Sequence, residues 1–266
     1  MNYVTEFSSL QDDKNFAMQL QNLEEASLNS WPAIQQMLLD GWVIRFANGY
    51  TKRANSVTPL YSSHQPLEQK IEFCERLYRE RKQMVVFRLP TFSTPAGLEE
   101  LLIERGYDRM DETYVMTHPL DTVRWEASDG LRLQSDLPLD EWMQLYSKLY
   151  GSSIEQERKQ QAILAQIVSQ RRQFVLRDDE RVYACGVGVL EGDYFGLFNI
   201  LTAPEWRGKG YAGQLLNGMM DWARQRGGKY AYLQVVADNA SALRLYQKLN
   251  FQEAYRYWYR YKRFDS

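Results

Sequence analysis

The segment NILTAPEWRGKGYAGQLLNGMMDWARQRG, residues 199–227, limits the folds open to this chain more than any other stretch. An apolar run ends at Thr202, Pro204 stops further ladder pairing, and Arg207-Gly208-Lys209-Gly210-Tyr211-Ala212 opens an amphipathic helix closed by Gly227-Gly228. Gly208 and Gly210 let consecutive backbone N–H groups turn toward one point without Cβ interference. The helix N-terminus adds the positive end of its dipole. Such a turn is a cradle for a pyrophosphate, with Arg207 and Lys209 supplying positive charge nearby. The competing reading is that the glycines only permit close helix–sheet packing. Two other phosphate motifs fit less well. A Walker loop needs Gly-Lys-Ser/Thr after four spacer residues. Gly208-x-Gly210 followed by Gly213 meets the spacing of a dinucleotide fingerprint, but this strand follows a meander, and Gln234 and Val235 stand where an acid would hold a ribose.

Periodicity places elements around this segment. Leu131–Gln134 reads as a short strand, and Leu139–Tyr150 and Glu155–Arg171 as helices. Phe174–Arg177, Val182–Leu190 and Tyr194–Thr202 read as strands separated by turns at Asp178-Asp179 and Glu191-Gly192-Asp193. Arg207–Arg226 is helical, Tyr230–Val235 a buried strand, Ser241–Leu249 a short helix, and Ala254–Lys262 a final aromatic strand. This order predicts a mixed sheet with helices on both faces.

The first half repeats the later part of the order at an offset of about 144 residues. Asn55-Ser56-Val57-Thr58 lies over Asn199-Ile200-Leu201-Thr202, and the helix Leu67–Arg81 over the one starting at Tyr211. Leu98–Tyr107 lies over Ala242–Phe251, and both lead into a Tyr-containing strand. An internal duplication is one reading and simple βαβ similarity the other. The boundary falls between His118 and Asp129, where Pro119 and the turn Ser128-Asp129-Gly130 break the pattern, giving residues 1–124 and 125–266.

Arg-Gly-Lys-Gly-Tyr-Ala after a strand ending in Thr-Ala-Pro resembles the Arg/Gln-x-x-Gly-x-Gly/Ala motif of the GNAT family of N-acetyltransferases. The likeness continues through LQVVADNASALRLYQKLNF, residues 233–251, with its strand, Asn, helix and Tyr. The resemblance covers about half the chain. It implies an α/β (α+β) GNAT fold with a mixed, mostly antiparallel central sheet flanked by helices, duplicated if the repeat is real. It also implies acetyl-CoA as co-substrate, no metal, and direct attack of a primary amine on the thioester. By the same resemblance, backbone at Leu201 and Thr202 pairs with the pantetheine arm, and amides from Gly208 through Lys209, Gly210 and Tyr211 to Ala212 hold the pyrophosphate beside Arg207. Asn239 contacts the pantetheine or, equally, caps the helix at Ala240. Tyr246 matches the family's general acid, since a phenol stays protonated at neutral pH; a core tyrosine is the alternative. Glu191 and Asp193 sit where some members carry a base, but a solvated turn is the plainer reading.

In the first half, Ser63-His64-Gln65-Pro66-Leu67 replaces Arg207–Tyr211, so both glycines are gone, Pro66 removes an amide, and Leu102 stands for Tyr246. The first half is therefore expected to be a degenerate GNAT-like domain that covers or shapes the acceptor cleft, or simply buries a sheet edge. In Gly41–Pro59, Arg45, Lys52, Arg53, Asn48, Asn55, Trp42 and Tyr50 could line an acceptor pocket. The alternative there is a hairpin turning at Asn48-Gly49 with solvated bases. His64 and His118 are read as non-catalytic.

A net charge of −2 gives no electrostatic reason to expect nucleic acid. The two cysteines, Cys74 and Cys185, form no disulfide framework or metal cluster and fit a reducing, cytoplasmic compartment. Residues 1–16 lack a secretory signal, and no stretch reaches membrane-span length. The acceptor is expected to be a small-molecule or protein amine, with homodimerisation open. A non-catalytic acyl-CoA sensor and an acyltransferase using a longer acyl chain are the rival functions.

Overall fold

Alternating and fully apolar runs resolve into strands that join one sheet in the computed structural model, which describes residues 3–128 and 130–264, with backbone alone over 3–15. The first half contributes helix α1 (Tyr3–Ser30) and strands β1 (Gln35–Leu39), β2 (Trp42–Phe46) and β3 (Val57–Pro59). Helix α2 (Leu67–Glu80), strand β4 (Val85–Pro90), helix α3 (Leu98–Glu104) and strand β5 (Asp108–Pro119) complete it. The second half runs β6 (Arg132–Gln134), α4 (Leu139–Tyr150), α5 (Ile154–Ala165), β7 (Gln170–Arg177), β8 (Val182–Glu191) and β9 (Tyr194–Thr202). It ends with α6 (Tyr211–Arg224), β10 (Tyr230–Val236), α7 (Ala240–Lys248) and β11 (Gln252–Lys262).

The duplication is legible in the pairing. In both halves an antiparallel pair (β2–β3, β8–β9) is followed by a helix and then a parallel partner (β3–β4, β9–β10). Helices α2 and α6 are each 14 residues long and begin at the aligned positions Leu67 and Tyr211. The sheet order is β1-β2-β3-β4-β11-β5-β10-β9-β8-β7-β6. Each half has thus given its closing strand to the other: β5 pairs with β10, and β11 lies between β4 and β5. The boundary expected at 124/125 falls within one continuous sheet, in which β5 before it pairs with β10 and β11 after it, and Asp129 lies outside the described residues.

Neighbouring residues of one strand face different layers, which locates the helices. Tyr232 belongs to the core layer that also holds Leu20 and Leu23 of α1, Trp142 of α4 and Ile163 of α5. The next residue, Leu233, packs with Leu215 and Met219 of α6 on the opposite face. The first half fills that opposite face with Ile71 of α2 and Leu102 of α3 against Trp42 and Phe87.

Two helix boundaries shift and one helix is unexpected. The helix expected over 155–171 stops at Ala165, and Gln170–Arg172 instead pair with β8 as the start of β7. Residues 207–210 form a loop, with Gly210 at φ +86° capping a helix that starts at Tyr211. Helix α1 has no counterpart in the sequence reading, because its buried side includes Glu24, Ser27 and Ser30 as well as Leu20, Leu23 and Ala26. Those polar residues conceal its apolar stripe.

Candidate active site

The site forms where β9 and β10 separate. Their parallel pairing covers only Tyr194↔Tyr230, Phe195↔Ala231 and Gly196↔Tyr232, although β9 continues to Thr202 and β10 to Val236. Each strand stays bound on its other side, β9 to β8 and β10 to β5. A bulge helps turn β9 away: the register passes from Val187↔Phe198 to Cys185↔Leu201, leaving Asn199 and Ile200 opposite Gly186. Asn199 takes φ +53° there. A Cβ on Gly186 would lie 2.7 Å from the tip of the Ile200 side chain, so a larger residue there would have to push Ile200 aside.

Beyond the bulge, the Ala203 amide donates to the Tyr183 carbonyl at 2.9 Å. By the alternation of an antiparallel pair, the N–H and C=O of Thr202 then face away from β8, into the gap. A strip of backbone able to accept an added strand is the result. Leu201 and Thr202 both stand on the stretch of β9 that β10 leaves unpaired, the backbone groups of Thr202 facing the gap and those of Leu201 facing its β8 partner Cys185.

At its end lies the glycine loop. Gly208 and Gly210 adopt φ +75° and +86°, and a Cβ at either, or at Gly213, would meet no heavy atom within 4 Å. Among the described residues none accepts from the amides of Gly208, Lys209 or Gly210, and the first turn of α6 carries no acid. Tyr211 stacks on Tyr183 at 4.3 Å between ring centroids, and the Lys209 ammonium lies 4.3 Å over the Trp206 ring. The loop is therefore braced by aromatics while its amides stay open.

The matching loop of the first half shows what such amides seek. There the Asp40 carboxylate accepts from the amides of His64 and Gln65, each at 2.8 Å, and approaches the Lys70 ammonium at 3.4 Å. The Gln65 amide above all, with the His64 amide and Lys70, holds the Asp40 carboxyl down at about 2. Asp40 is an anion built into the fold. The residue at the same offset in the second half is Ala184, so that cradle has no carboxylate of its own. Asp40-Gly41 reads as an ordinary turn in sequence, and its role is visible only once the fold brings it to the α2 loop.

Tyr246 lies on α7, partly buried against the α6-side core, with its ring 6.0 Å from Phe251. Burial pushes its phenol up to about 12, and its hydroxyl has no hydrogen-bond partner among the described residues. Asn239 caps α7: its side chain accepts from the Ala242 amide at 3.2 Å and the Ser241 hydroxyl at 3.1 Å. Glu191 accepts from Asn29 at 2.7 Å and Ser169 at 2.6 Å, and Asp193 pairs with Lys229 at 3.0 Å. Both acids are engaged at the closed end of the β9–β10 pair.

The Gly41–Pro59 segment divides. Asn48 and Gly49, at φ +51° and +71°, make a tight turn closed by Tyr50 N–H to Ala47 C=O at 2.9 Å. Arg45 is not solvated: it is buried and donates to the carbonyls of Leu28, Trp31 and Arg53. Asn55 ties the loop together through the amides of Ala47 and Gly49, and Trp42 is buried beneath the Lys70 ammonium. Of the segment's bases, Lys52 and Arg53 reach a pocket. Cys74 and Cys185 are buried free thiols.

A family model described as "Probable histone acetyltransferase Rv0428c C-terminal" matches residues 17–261. The uncharacterized N-acetyltransferase YobR of Bacillus subtilis is 31% identical over 249 residues, covering 92% of this chain and 99% of that protein. A GCN5-related N-acetyltransferase from Kribbella flavida superposes with a TM-score of 0.70 at 13% identity, over 92% of this chain and 96% of that one. A tandem GNAT protein from the clavulanic acid biosynthesis pathway shares the fold with a TM-score of 0.61 at 10% identity, over 79% and 76% of the chains. A gap between two parallel strands, a helix entered through open glycines and a match along almost the whole chain agree: the protein belongs to this acetyltransferase family and is a GNAT-fold N-acetyltransferase.

Proposed function

We propose that the protein transfers the acetyl group of acetyl-CoA to a primary amine, at one site formed by the β9–β10 gap and the α6 loop. The observation that carries this reading is the contrast between the two loops. The first half fills its cradle with Asp40, whereas the second leaves the amides of Gly208, Lys209 and Gly210 without an acceptor beside an open strand edge. These residues fit a pyrophosphate joined to an extended pantetheine arm, because the absent side chains at Gly208, Gly210 and Gly213 leave room for it.

Acetyl-CoA, when bound, supplies an acetyl group activated as a thioester. The cradle amides and the α6 N-terminus, with Arg207 and Lys209, hold the diphosphate charge, and amides through Tyr211 and Ala212 extend the same surface. Thr202, whose N–H and C=O face the gap, fixes the pantetheine by strand-like pairing, while Leu201, paired with Cys185 of β8, holds that edge in place, which orients the reacting carbonyl. Tyr246 keeps its proton at neutral pH and delivers it to the departing sulfur. Asn239 acts at one remove, by capping the helix that carries Tyr246. Neither Glu191 nor Asp193 is assigned as base, so the acceptor enters as its neutral amine fraction.

Thiol release in the presence of an amine panel tests this. Amine-dependent release of CoA is expected. Binding of acetyl-CoA without turnover of any amine would instead favour an acyl-CoA sensor, and release only from succinyl- or fatty acyl-CoA would favour a longer-chain acyltransferase.

A further inference from the structure

Where the two halves meet, a pocket of about 280 Å³ opens between the loop after β2 and strands β5, β10 and β11. Lys52, Arg53, Asp111, Gln234, Tyr257 and Tyr259 line it. Gln234 lies two residues beyond Tyr232, the last β10 residue paired with β9, so the pocket borders the unpaired stretch of β10. It opens on the α1 side of the sheet, since Tyr232 and Gln234 bond to Ser30 and Ser27 of α1. Trp31 joins the pocket to the gap: its ring stacks on Phe198 of β9 at 5.7 Å, and the Arg53 guanidinium lies 5.3 Å over it.

Charge and backbone both mark this place. Lys52 pairs with Asp111 at 2.6 Å, whereas the partly exposed Arg53 guanidinium has no carboxylate partner among the described residues. The pocket therefore has a net positive charge with one planar, bidentate donor left over. Thr51, at φ +56° and ψ 132°, and Asp111, at φ +49°, hold unfavourable backbone angles on its two sides. Gln234 is oriented by accepting from the Tyr257 hydroxyl at 2.8 Å. The loop that carries Lys52 and Arg53 is tied to α5, where the Tyr50 hydroxyl meets Gln160 at 3.5 Å.

We propose that this pocket binds the carboxylate of the acceptor through Arg53, and that the acceptor is a small amino acid rather than a protein amine. The inference rests on the acetyl-transfer reading above. The pocket lies just below the roughly 300–1,000 Å³ usual for drug-sized ligands, as a small metabolite requires. The degenerate half thereby contributes the acceptor's recognition group, while the other half holds the co-substrate.

The test is isothermal titration of the full-length protein, saturated with CoA, using the α-amino acids and their primary amides. At least one acid should bind about tenfold or more tighter than its amide, as a charge-assisted bidentate contact implies. Arg53→Gln should reduce that preference to about twofold or less and leave acetyl-CoA affinity unchanged. Asp111→Asn, which frees Lys52 and suits a left-handed backbone, should increase the preference by about threefold or more. The proposal is overturned if no acid is preferred to its amide, if Arg53→Gln keeps the preference, or if Asp111→Asn weakens it. Failure of the acetyl-transfer reading would show separately, as absence of amine-dependent CoA release from acetyl-CoA by the unaltered protein.

Discussion

Gly210 and Gly227 bracket helix α6 and allow the anion cradle to be separated from backbone strain. Their φ angles are +86° and +90°, and a Cβ at either position would meet nothing within 4 Å. Placing alanine in a left-handed conformation costs about 1–2 kcal/mol. Gly210→Ala and Gly227→Ala should therefore lower stability by similar amounts, a fall of roughly 2–8 °C in Tm for a chain of this size. Their effects on co-substrate should differ. At Gly210 the methyl group enters the space assigned to the pyrophosphate, and displacing one charge-assisted bond of about 1.5–3 kcal/mol weakens binding roughly 10- to 100-fold. At Gly227, on the opposite end of the helix, affinity should be unchanged. Calorimetric titration of acetyl-CoA into both variants, each matched by a thermal melt, makes the comparison. Equal affinities for acetyl-CoA in the two variants would refute the cradle at residues 208–210.

Further outcomes follow from the same geometry. Tyr246→Phe should cost little stability, since the hydroxyl lacks a described partner, and should lower kcat about 10²-fold with acetyl-CoA affinity unchanged; an unchanged kcat removes Tyr246 from the chemistry. Because its folded-state pKa is raised to about 12, the Tyr246 contribution to stability is complete below pH about 10 and lost as the pH rises toward 12. Asp40 titrates in the opposite sense: held at about 2, its contribution is present above pH about 4 and lost as the pH falls toward 2. Asp40→Ala should accordingly flatten the acid limb of a Tm-against-pH curve, and an identical limb would count against the built-in anion. Glu24 and Arg88 form a fully buried ion pair at 2.8 Å, with the Tyr255 hydroxyl also donating to Glu24. Glu24→Ala should destabilise by about 3–5 kcal/mol in denaturant unfolding, while Glu24→Leu combined with Arg88→Met should recover most of that loss.

The motif-bearing half was legible because its signals are local. Gly208 and Gly210 mark a turn whose backbone they alone can adopt cheaply, and Leu139–Tyr150 shows its helical period without interruption. What could not be read depends on distant partners. The exchange of β5 and β11 leaves both strands with the same two-faced alternation they would have in closed halves, so nothing in their sequence reports it. Glu24, Ser27 and Ser30 look like a solvated face of α1 until Tyr255, Gln234 and Tyr232 are placed opposite them. Arg45 and Asn55 suggest a polar pocket in sequence, yet Arg45 serves the carbonyls of Leu28, Trp31 and Arg53 and Asn55 the loop's own backbone, leaving Lys52 and Arg53 for a ligand.

Hydrogen exchange of backbone amides with and without acetyl-CoA tests the central claim most directly. Protection should rise across residues 201–213, where Thr202 and the open cradle lie, and remain unchanged across residues 57–67, where Asp40 already occupies the equivalent loop. Protection absent from 201–213, or gained equally at 57–67, would contradict the assignment of a single co-substrate site to the second half.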